Sequence, residues 1–182
     1  MKTATADWNA DDARRGGGKI PFGTRLAARF AGGKAALRDA RAEPGSGLEI
    51  ARAANLAQGV ATDLGMPAPE IWTYDGPPNA LGVRVGRPVV ALSTQLLTTF
   101  SRTEIEAVIA HLLVRIARGN RSDIIGYADD VRTVALTRFP PALSSALEKA
   151  VPHEGRFAHH YFAATGASHR PVAERIEALS DL

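Results

Sequence analysis

Apolar residues recur at helical spacing in two long stretches of this chain, with three short runs of extended character between them. The first stretch opens at Ser46-Gly47-Leu48-Glu49, the form of a capping box. Ile50, Ala53, Ala54, Ala57, Val60, Ala61 and Leu64 then repeat along one helical face. Gly65 ends the run, ahead of Pro67 and Pro69. The extended runs are Glu70 to Tyr74, Gly82 to Val85 and Pro88 to Ser93, the first followed by the turn-forming Asp75-Gly76-Pro77-Pro78-Asn79.

A second capping box, Ser101-Arg102-Thr103-Glu104, opens the most strongly patterned helix. Its apolar stripe is Ile105, Val108, Ile109, Leu112, Leu113 and Ile116, and Gly119-Asn120 closes it. Further helices are predicted at about Gly126 to Leu136, Pro140 to Ala150 and Pro171 to Leu179, the last two with a proline in the first turn. Helix, small sheet, then several helices is the order of an α+β fold, mostly helical.

The chain has 182 residues, enough for one domain with a sizeable core, and no cysteine. Disulfides, thiolate metal sites and cysteine nucleophiles are thereby excluded. The formal charge is +3 and the pI about 9.6. Nine Lys/Arg against four Asp in residues 1–42 put most of the excess early. Residues 1–45 therefore form a basic N-terminal arm, flexible to about Gly18 and weakly anchored up to Pro44, and residues 46–182 form the domain. No aromatic interleaving or nucleic-acid motif accompanies the arm, so nucleic acid is not the expected partner. No apolar stretch reaches the roughly 18 residues of a membrane span, and acids precede any signal-like segment at the N-terminus. A soluble, cytoplasmic protein is the expectation.

His111 and Arg115 stand four apart, one above the other on one face of the second long helix. Taken alone, they read as a solvated polar face. Their setting changes that reading. Pro78-Asn79-Ala80-Leu81, then a hairpin-like segment ending Val89-Val90-Ala91-Leu92-Ser93-Thr94-Gln95-Leu96-Leu97, then Ser101 to His111 follow one another in order. Tyr127-Ala128-Asp129-Asp130, Thr137 to Lys149 and His169-Arg170-Pro171-Val172-Ala173-Glu174-Arg175-Ile176 come after. This succession over residues 46–182 resembles the HtpX-type zinc metallopeptidases, the membrane family that includes the CAAX prenyl-protein proteases.

The resemblance implies a zincin-like metallopeptidase domain, in which a helical H-E-x-x-H supplies two zinc ligands and a general base. Here the five residues are His111-Leu112-Leu113-Val114-Arg115. On the family pattern Leu112 takes the place of the base, Arg115 that of the second ligand and Ala128 that of the third, leaving His111 the only retained ligand position. Leucine and alanine cannot do this work, and a guanidinium neither ligates nor tolerates a nearby divalent cation. His153, His159, His160 and His169 are the other histidines a metal could recruit. Asn79, His169 and Arg175 fall on motifs that line the family's cleft, and Asp130 on an acid near the metal, where it could pair with Arg115.

The resemblance also implies membrane spans that the short passage from Gly119 to Ile125 leaves no room for. The expectation is thus a catalytically inactive pseudo-peptidase that holds no cofactor. It would act as a binding or regulatory domain for peptide or protein, by strand addition to the sheet edge or by pairing with itself or an active relative. The alternative is a zinc metallopeptidase with an unusual ligand set.

Overall fold

A computed structural model describes residues 32–119, 126–166 and 169–182. The part of the arm up to residue 31, which includes the stretch expected to be flexible, and residues 120–125 and 167–168 lie outside the described residues. The elements are α1 (32–39), β1 (Glu43–Pro44), α2 (Leu48–Asp63), β2 (Glu70–Tyr74), β3 (Ala80–Val85), β4 (Arg87–Ser93), α3 (Thr94–Thr99), α4 (Arg102–Ala117), α5 (Tyr127–Thr137), α6 (Pro140–Lys149) and α7 (Val172–Leu179). A single turn of 3-10 helix at Ala158–His160 precedes α7. The fold is α+β, mostly helical, around one four-stranded sheet.

The sheet order is β1-β2-β4-β3, with β2 and β4 parallel and the other pairs antiparallel. Alternation along the strands feeds two apolar layers. Ile71, Ala80, Val90 and Leu92 face α2, α4 and α6, whereas Leu81, Val83, Val89 and Ala91 face α1 and the segment after α6. Being covered on both faces, β4 reads as an unbroken buried run from Pro88 to Ser93. Residues 32–45, expected to be weakly anchored, pack here: Ala36 and Leu37 are buried against the sheet, and the Gly45 N–H bonds Ile71 O.

Helix α4 runs through the middle, with twelve of its sixteen residues buried. Its capping box forms as the sequence predicts. Ser101 Oγ accepts from the Glu104 N–H, and the Glu104 carboxylate accepts from the Ser101 N–H at 2.6 Å. Ser145 at 2.5 Å and Lys149 at 2.7 Å bind that same carboxylate, tying α6 to the start of α4. The box expected at Ser46 does not form. Gly47 is the N-cap of α2, in a left-handed conformation (φ 94°), and no side chain caps it.

Close approach of β3 to α4 depends on Gly82. A Cβ there would stand 3.0 Å from Leu112 Cβ and 3.3 Å from Ile116 Cδ1. Gly82→Ala should therefore cost about 1–3 kcal/mol through overpacking. Gly59→Ala, on the open face of α2 with nothing within 4 Å, should instead stabilise by about 0.5–1 kcal/mol. Urea unfolding of the two variants checks the contrast; a neutral Gly82→Ala would mean that β3 and α4 do not meet as described.

Candidate functional site

The central helix carries His111, Leu112 and Arg115 into the interior, where they are 0%, 1% and 4% exposed. The face is thus not solvated, because the sheet lies over one side and the segment after α6 over the other. Leu112 is core, packed beneath Gly82. The His111 ring meets the edge of Phe162 at 5.4 Å between centroids. Its Nδ1 lies 3.2 Å from Asp130 Oδ1, off the axis of a strong hydrogen bond, and its Nε2 has no partner among the described residues. Burial lowers the His111 pKa, and the Asp130 carboxylate only partly offsets this.

Asp130 and Arg115 do not form the pair that the sequence led us to expect. Asp130 is taken by Arg175 of α7, whose Nε and NH2 reach its two oxygens at 2.8 and 2.7 Å. Both side chains are 1% exposed. Burial alone would raise the Asp130 carboxyl; the Arg175 fork and His111 outweigh it and hold it well below the usual carboxylate range. Arg115 instead donates to Tyr161 O at 2.6 Å and to His159 O. Desolvation brings its pKa down to about 10, which leaves it charged at neutral pH. Beside this network Arg118 pairs with Asp129.

Asn79 sits at the start of β3 and spends its whole amide on the main chain. Its Nδ2 donates to Val151 O at 2.7 Å and Ala163 O at 2.8 Å, and its Oδ1 accepts from the Ala80 and Ala163 N–H groups. His169 is buried nearby, hydrogen-bonded to the Tyr161 main chain. Asn79, Asp130, His169, Arg175, His111 and Arg115 therefore all converge on the residues 159–163. Ala128 does not. It is exposed, whereas Gly126, the N-cap of α5, is buried beside the Arg170 side chain.

The segment 158–164 was not legible as a functional element, yet it covers the edge of β3. Leu81 bridges to Tyr161, the Phe162 N–H bonds Ala80 O at 2.8 Å, and His160 reaches the Gly82 main chain. The first half of the β3 edge, Ala80 to Gly82, is thus lined by this segment.

A zinc ion does not fit the residues present. His111 keeps the form of a ligand, with a carboxylate behind Nδ1 and Nε2 uncommitted. No second or third donor joins it: among the described residues no group of three His, Asp or Glu could hold a metal. His153 stacks on Tyr161, and His159 lies against His160. The charges of Arg175 and Arg115 both act on His111 and oppose a divalent cation there.

No protein-family model matches the chain. Over 58 residues it is 43% identical to a protein described as "Protease HtpX homolog" from Prosthecochloris aestuarii, covering 31% of this chain and 20% of that protein. Over 63 residues it is 40% identical to the protein of the same description from a Janthinobacterium species, covering 34% and 22%. About a third of the chain is thus homologous to HtpX proteases, and the match spans only about a fifth of their length. No helix among the described residues is long and apolar enough to cross a membrane.

The histidines give the site a pH signature. His160 is lowered to about 3 by burial and by the charges of His159 and Arg115. His169 is lowered to about 4 by burial, Arg115 and Arg175. The unfolded chain takes up these protons near the ordinary value of 6.5, whereas the folded chain refuses them until pH 3–4. Stability should therefore fall steadily as pH drops from about 6.5, well before the carboxylates respond. Urea midpoints at pH 7.5, 6, 5 and 4 measure this, and His160→Phe should flatten the slope. A midpoint constant between pH 7.5 and 5 would contradict the neutral histidines.

Proposed function

We propose that this chain is a non-catalytic, peptidase-like domain that acts by binding peptide or protein, in the manner of a pseudo-peptidase with a regulatory role. The observation that carries the reading is the engagement of Arg115. Its guanidinium, at the position the motif order gives to a second metal ligand, is buried and committed to two main-chain carbonyls. Asp130 is likewise committed to Arg175, and Leu112 offers no base for water. The partial homology to HtpX proteases supports the descent of this arrangement from a peptidase. Nothing in the site calls for a cofactor, and partners of protein or peptide character fit it, including a second copy or an active relative.

One observation favours the second reading, a zinc enzyme with an unusual ligand set. His111 keeps an uncommitted, buried Nε2 with Asp130 behind Nδ1. Zinc titration separates the two. The wild-type chain should hold no stoichiometric zinc and unfold at the same midpoint with and without chelator. Arg115→His should hold zinc more tightly than wild type, since it puts a second imidazole four residues from His111 on the same helical face. Adding Ala128→Glu should bring no further gain, because residue 128 is exposed. One tightly held zinc per wild-type chain would sink the proposal.

A further inference from the structure

The segment around residues 159–164 is held through its backbone as well as by the burial of its side chains. Arg115 takes the carbonyls of His159 and Tyr161, Arg175 that of Phe162 at 3.1 Å, and Asn79 that of Ala163 along with its N–H. Such contacts do not depend on the identity of the side chains they hold, as is usual where one chain receives another as an extended strand. Direct pairing with β3 is slight by comparison, one bridge at Leu81 and one bond to Ala80 O. Selectivity lies in two slots. Tyr161 stacks on His153 at 3.7 Å and meets Tyr74 edge-on at 6.5 Å, while Phe162 fills the space between His111 and Arg175. Ala163 and Ala164, also buried, leave no room for larger residues.

Two features make the segment separable from its seat. Gly155 (φ 135°) and Gly166 (φ 117°) bracket it, each in a backbone conformation that glycine alone adopts readily. A cavity of about 630 Å³, lined by Asp39, Tyr74, Asn79, His153 and Tyr161 among others, opens beside the Tyr161 slot.

We propose that residues 161–164, which follow the 3-10 turn Ala158–His160, are a resident strand in a peptide seat. The seat takes, in exchange, an extended peptide from another molecule with the pattern aromatic, aromatic, small, small. This deepens the non-catalytic reading and rests on it. The resident strand competes at an effective concentration of millimolar order or above, so the wild-type chain should bind such a peptide weakly. Weakening the resident strand alone should expose the seat.

The probe is a fluorescein-labelled synthetic peptide with the sequence of residues 157–166, titrated with the full chain in chelator. Tyr161→Ala should bind it at least about tenfold more tightly than wild type, because the peptide restores the aromatic contacts that the resident strand has lost. A peptide with alanine for its tyrosine should lose that gain. Equal affinity for both chains, or no saturable binding to Tyr161→Ala, would overturn the proposal. Should Tyr161→Ala fail to fold, wild type decides by hydrogen exchange. Excess peptide should speed exchange of the Phe162 N–H, and unchanged exchange would overturn the idea. Zinc uptake is scored separately. A chain that holds zinc and takes the peptide would sink the non-catalytic reading and not the seat; a zinc-free chain blind to the peptide would do the reverse.

Discussion

A carboxylate almost without water, Asp130, sets the terms for the C-terminal half of this molecule. Removing an ionised group from water costs several kcal/mol, and the fold survives that cost only where partners replace the lost hydration. Arg175 does so with a two-pronged contact, which fixes α7 against α5. Of the three N–H donors then left to the guanidinium, one goes to Phe162 O. One ionic contact thereby aligns two helices and the segment that closes the sheet edge. His111 completes the enclosure from α4.

Arg115 poses the same problem with the opposite sign. A guanidinium cannot be neutralised by losing its proton at working pH, so burial obliges it to find acceptors. With Asp130 already engaged, the carbonyls of His159 and Tyr161 serve instead. Positive charge and the Phe162 ring thus surround His111.

The elements with regular periodicity were readable in the sequence. The stripe on α4, its capping box and the strand runs emerge close to their observed bounds, because one face or both are buried at regular intervals. Errors arose where tertiary contacts decide. Ser46 looks like an N-cap, but Gly47 takes that place, so no hydroxyl reaches the helix start. His111 and Arg115 look like surface polarity until the segment 158–164 is laid across them. That segment has no periodicity and is held by partners up to 84 residues away in sequence, which no local pattern announces. The register of α5 was legible only in part: Asp130 is buried and paired with Arg175, whereas Ala128 lies on the exposed face.

The central claim is that an ionic core joins α4, α5 and α7. A double-mutant cycle on Asp130→Asn and Arg175→Met, followed by urea unfolding, tests it most directly. Each single substitution leaves a buried charge without its partner and should cost about 3–5 kcal/mol. The double variant should be no less stable than either single one, giving a coupling of several kcal/mol. Costs that simply add would show that the two side chains act independently, and would contradict the account.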